Sequence, residues 1–86
     1  METHLEKHHP EKNQHRFYAL SINPNLFGGW SVIRRWGRIG SRTGGQKIDL
    51  YDDLESAQMG FKKKEKEKLR RDYRRVVLLK VRVYQN

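Results

Sequence analysis

The chain contains no cysteine and only two prolines among its 86 residues. Without thiols it has no disulfide staples, no thiolate metal sites and no cysteine nucleophile. No apolar run approaches the roughly 20 residues that a membrane-spanning helix needs. Met1 to Asn13 also lacks the apolar stretch of a secretory signal, so the sequence reads as a soluble, cytoplasmic protein with no membrane partner. Hydrophobic residues make up 35% of the chain and charged residues 34%, and a chain of this size hides only about 60% of the surface its unfolded form exposes. One thin core beneath a charged surface follows, with no room for a second core or a deep catalytic cleft.

Acidic residues are scarce where they would balance the charge. Nineteen Lys and Arg stand against ten Asp and Glu, a net charge of +9, and the excess lies outside the first fifteen residues, where Lys7 and Lys12 face Glu2, Glu6 and Glu11. From residue 16 to 51, Arg16, Arg34, Arg35, Arg38, Arg42 and Lys47 are opposed by Asp49 alone. A field of this sign attracts polyanions by steering their approach and by releasing counterions from phosphates.

Met1 to His15 is polar, interrupted by Pro10 and without periodicity, and predicts a disordered leader ahead of a single domain over 16–86. All four histidines lie in this leader, but with no carboxylate or thiolate spacing that defines a metal site, so neither a metal nor a cofactor is expected. Arg16 to Ile22 alternates as a half-buried strand does, with Tyr18, Leu20 and Ile22 on one side. Asn23-Pro24-Asn25 and Gly28-Gly29 supply turn chemistry. Trp30 to Ile39 predicts a second strand, and Gln46 to Tyr51, after the Gly40 to Gly45 turn, a third. Asp52 and Glu55 predict a capped helix from about Leu54, with Leu54, Ala57, Phe61, Leu69 and Tyr73 as its apolar stripe. The lysine-rich run 62–68 reads as a solvated face. Residues 76–84, rich in β-branched side chains, predict a C-terminal strand. The expected fold is α+β: a small antiparallel meander of three strands, this added strand, and one helix packed on one face.

The helix stripe is expected to cover Tyr18, Leu20, Ile22, Ile33, Ile39, Ile48 and Leu50. The opposite face would then carry Trp30, Val32, Arg34, Trp36 and Arg38 beside Phe17 and Ala19. Such a mixture of indole and guanidinium stacks on bases or sugars and grips phosphate. Trp30 reads as a core residue, Trp36 as a functional one.

Trp36-Gly37-Arg38-Ile39-Gly40 resembles the signature of the WGR domain, a module of several poly(ADP-ribose) polymerases and of stand-alone bacterial proteins. Phe17-Tyr18-Ala19-Leu20, Trp30-Ser31-Val32, Gly45-Gln46 and Leu54-Glu55-Ser56-Ala57 with Phe61 resemble its flanking elements, in order, so that the likeness runs from about Arg16 to Tyr73. It implies a sheet with a packed helix that binds nucleic acid, in the polymerases at DNA ends and breaks. There the signature Trp stacks on a terminal sugar and the signature Arg contacts DNA or a neighbouring domain, roles that fall here to Trp36 and Arg38. Residues 76–84 lie outside the likeness, and the chain carries no polymerase or zinc-finger segment.

The leading expectation is a non-enzymatic nucleic-acid-binding module that recognises DNA ends, nicks or gaps, with DNA favoured over RNA. Trp36 would stack at the terminus, and Arg34, Arg35, Arg38, Arg42 and Lys47 would contact phosphates. The alternative is a protein-interaction module that docks a partner on the Trp36 and Arg38 face, since Trp and Arg are common interface anchors. A monomer is favoured, with edge-strand pairing between chains as the other possibility. Nucleophile-and-base pairs, paired carboxylates and a Walker-type loop are all absent, so no enzyme is expected.

Overall fold

The computed structural model describes residues 1–77. Its strands are β1 (Glu2–His9), β2 (Gln14–Pro24), β3 (Trp30–Arg38), β4 (Gly44–Tyr51) and β5 (Arg74–Arg75), with the helix α1 (Leu54–Arg70) between the last two. They form one five-stranded antiparallel sheet in the order β4-β3-β2-β1-β5, with α1 packed on one face. This is the expected α+β class, with a fuller sheet.

The predicted disordered leader is instead β1. It pairs with β2 from Glu2↔Ser21 to His9↔Gln14. A short 3-10 turn over Pro10–Lys12 joins the two strands, and Asn13 closes it in the left-handed region at φ 50°. Periodicity gave no signal because Leu5, 0% exposed, is the one apolar side chain that β1 sends into the core. The backbone ladder and that single anchor hold the segment.

The sheet faces also differ from expectation. Asn25 N–H donates to Gly29 O at 3.0 Å, closing a loop that pairs Pro24 with Trp30 and therefore Ile22 with Val32, Leu20 with Arg34 and Tyr18 with Trp36. Directly paired residues share a face. Val32, Trp30, Arg34 and Trp36 thus lie on the helix side, while Ile33, Ile48 and Leu50 lie on the open side. Ile39, beyond the end of β3, is exposed. The core comprises Leu5, Tyr18, Leu20, Ile22, Val32, Ala57, Phe61 and Tyr73, with Trp30, Tyr51 and Leu69 packed against it. Trp30 is the core residue the sequence suggested.

The helix begins at Leu54 as expected, but its cap is Asp53 rather than Asp52. The Asp53 carboxylate accepts from Ser56 N–H at 2.7 Å, and that bond holds its pKa below the ordinary carboxylate value. After α1 the chain returns along β1, with Val76 N–H donating to His4 O at 2.9 Å. Of the C-terminal strand predicted over 76–84, residues 76 and 77 follow β5 without strand structure. The remainder lies outside the described residues.

Candidate nucleic-acid interface

The signature residues are placed by close backbone approach. A Cβ on Gly45 would lie 2.7 Å from Nε1 of Trp36, so the indole rests over bare backbone that no other residue could offer. On its other side Trp36 stacks on Tyr18, with centroids 6.0 Å apart and planes 13° from parallel. At Gly37, a Cβ would sit 2.8 Å from Thr43 O and 3.2 Å from the Phe17 ring. Arg38 Nη1 donates to Asn13 O at 3.0 Å, fastening the turn between β1 and β2. Each member of the Trp-Gly-Arg tripeptide therefore has a local structural reason, while Trp36, still 36% exposed, keeps ring surface for a ligand.

Beside Trp36 a cavity of about 250 Å³ opens between the sheet and the C-terminal half of α1, lined by Arg16, Tyr18, Arg34, Trp36, Lys64, Lys68 and Tyr73. The helix supplies its lysines by spacing. Ala57, Phe61, Lys64 and Lys68 recur at intervals of four, three and four, one continuous face that turns from apolar to basic where it leaves the core. The sheet supplies Arg16, Tyr18, Arg34 and Trp36 from the paired strands β2 and β3. Outside the cavity, Lys7 and Arg38 flank Arg16 in the same row, and like charges so placed repel at a cost to the fold.

Arg34 is largely enclosed, its side chain 15% exposed. Its Nε lies 3.1 Å from Asp49 Oδ2, at ion-pair distance but off the hydrogen-bond direction, so this buried N–H lacks a hydrogen-bond acceptor. Burial works against its charge, and the Tyr18 hydroxyl with the Asp49 carboxylate more than offsets this, raising its pKa. Lys68 Nζ sits 4.6 Å from the centre of the Tyr18 ring and 5.8 Å from that of Tyr73, a cation held on aromatic faces. Burial, then Arg71, Lys64 and Arg34, hold its pKa below the ordinary lysine value, with Glu67 opposing. Lys64 Nζ meets Glu67 at 2.6 Å.

The candidate residues from the sequence divide accordingly. Trp36 and Arg34 meet in the cavity. Lys47 pairs with Arg34 on the same face, at its edge. Arg42 is exposed in the connection between β3 and β4, and Arg38 is engaged with Asn13. Arg35 pairs with Ala19 and Gln46 and so faces the open side, away from the others. Sequence reasoning missed Arg16, Lys64 and Lys68 and assigned Tyr18 and Tyr73 only to the core. The helical spacing of Lys64 and Lys68 behind Phe61 was the signal that could have found two of them. Among the described residues no group of three or more His, Cys, Asp or Glu is placed to hold a metal, and no helix is long and apolar enough to cross a membrane.

A small antiparallel sheet with one helix, and a cleft of guanidinium, ammonium and aromatic groups between them, define a binding module. The WGR domain profile matches residues 1–78, and the chain belongs to the WGR domain family, nucleic-acid-binding modules of poly(ADP-ribose) polymerase-like proteins. It is 38% identical over 71 residues to the uncharacterized protein y4dW of Sinorhizobium fredii (strain NBRC 101917 / NGR234), covering 83% of this chain and 34% of that protein. It is 38% identical over 53 residues to a poly [ADP-ribose] polymerase of Sarcophaga peregrina, covering 60% of this chain and 5% of the polymerase. The chain thus spans about a third of the first relative's length and a twentieth of the second's. No solved structure matches it significantly.

Proposed function

We propose that this chain is a non-catalytic module that binds DNA at ends, nicks or gaps, using the cleft between the sheet and α1. The observation that carries the reading is the convergence of a partly exposed indole with four cations, Arg16, Arg34, Lys64 and Lys68, on one cavity. Trp36 offers a flat apolar surface to a terminal sugar or base, an interaction worth about 1–3 kcal/mol per stacked base. The cations hold the adjoining phosphates, with Arg34 turned toward the cavity from its ion pair with Asp49. Lys47 and Arg42 extend the basic surface, and Arg38 acts by holding the turn at Asn13. Backbone contacts carry little base information, so the module selects DNA structure rather than sequence.

Fluorescence anisotropy with intact, nicked and blunt-ended duplexes of equal length tests the reading. Binding is expected to be tighter at nicks or ends, with that preference lost in a folded Trp36→Ala variant. With about five phosphate contacts, log affinity falls against log salt with a slope of about −4 to −5. Wild-type discrimination in the folded variant would remove Trp36 from the mechanism. No binding at low salt would transfer the cleft to a protein partner.

A further inference from the structure

From the outer edge of β4 we infer a second interaction surface, for a second copy of this chain. β4 ends the sheet on one side, and the backbone groups on its outer side have no strand partner among the described residues. Natural sheets guard such edges with proline, bulges or a charge placed to repel a partner strand. β4 contains no proline, and its Lys47 is matched two residues on by Asp49, whose Oδ2 meets Arg34 on the inner strand while its other oxygen is left for the edge. An antiparallel pairing of β4 with its copy, centred on Ile48, sets Lys47 opposite Asp49 of the second copy and Asp49 opposite its Lys47. The charge that should repel a neighbouring strand thereby becomes complementary to itself.

On the open face the same register places Ile48 against Ile48. That side chain is 49% exposed, Leu50 is 72% exposed, and Ile33 stands directly across from Ile48 on β3. Two such strips become continuous across a two-fold axis, where exposed β-branched side chains gain a cross-strand partner. An isologous contact of this kind closes at two copies. Because the axis runs perpendicular to the sheet, both helices stay on one side and both clefts stay open. Pairing across the axis takes Lys47 out of the basic surface but leaves the cavity cations untouched, so the inference does not depend on what the clefts bind.

The absence of cysteine provides the test. Ile48→Cys puts the chain's single thiol on the two-fold axis, where directly opposed Cβ atoms lie about 4.5–5.5 Å apart, close to what a disulfide spans. Mild oxidation in the absence of nucleic acid is expected to link Ile48→Cys chains into dimers far faster than Phe27→Cys chains, although Phe27 is 96% exposed. In sedimentation equilibrium the unmodified chain is expected to rise from 10.4 kDa to twice that mass with concentration. Ile48→Glu and Ile48→Lys should each remain monomeric alone and associate when mixed. A monomer mass at every concentration, equal cross-linking of the two cysteine variants, or a dimer that survives Ile48→Glu would each overturn the proposal.

Discussion

A tryptophan on the covered face of a sheet ordinarily packs toward the core, and Trp30, half-buried against it, follows that pattern. Trp36, three rows along the same face, escapes it because Gly45 lets the indole lie flat on backbone. That contact makes Gly45 a positioning residue. Gly45→Val should displace the ring and reproduce the binding defect of Trp36→Ala while circular dichroism remains native; full discrimination between nicked and intact duplex would contradict it. The two neighbouring arginines should separate as cleanly. Arg34→Ala is expected to cost about 1.5–3 kcal/mol of DNA affinity, as for a hydrogen bond to a charged group. Arg35→Ala, on the open face, is expected to leave the same titration unchanged. At this scale the sequence made Trp36 conspicuous through its motif. Alternation set Arg34 and Arg35 on opposite sides of the strand, but it could not reveal which side carries the cleft, because that depends on which strand face the helix covers.

Two elements carry more than their composition suggests. β1 looks like a polar leader, yet Leu5 is wholly buried and the segment is laddered on both sides. Leu5→Ala is therefore expected to lower unfolding stability by about 2–5 kcal/mol in urea titration; a disordered segment would register nothing. The helix reads as a core stripe followed by a solvated run, but the run has two sides. Lys64 and Lys68 turn into the cleft, whereas Lys63 and Lys66 are exposed. Charge reversal of the first pair should weaken DNA binding severalfold or more, and reversal of the second should alter it far less at moderate salt. The existence of β2, β3, β4 and α1 was legible because alternation and helical spacing are local properties, although Tyr73, expected on the helix stripe, lies beyond the end of α1 at Arg70. The open-side location of Ile33, Ile48 and Leu50 was not, since it is fixed by a loop closure that links residues 25 and 29. The apolar character of Ile33, Ile48 and Leu50 pointed to the covered side instead.

Taken whole, the molecule accepts like-charge crowding at one end of the helix-covered face, and its ionisation behaviour records that. A bound phosphate favours charged Lys68 and so raises the pKa that burial and neighbouring cations depress. Affinity is thus complete below the depressed value and falls as pH rises through it, at lower pH than an unperturbed lysine would produce. The unliganded fold responds in the opposite sense. The unfolded chain holds this proton more tightly, so stability increases as pH climbs through the depressed pKa. Lys68→Gln should flatten both alkaline trends, measurable by anisotropy and by thermal unfolding; an unaltered pH profile would exclude Lys68 as the source. The pairing of β1 with β5 has a consequence of another kind. Leu5 meets Arg75, so a strand made before β2, β3, β4 and α1 waits for one made after them. While the chain is still emerging from the ribosome, β1 can pair with β2 but its other edge stays bare. Completion of the sheet is therefore a late, non-local step, and non-local pairings are the slow ones in folding.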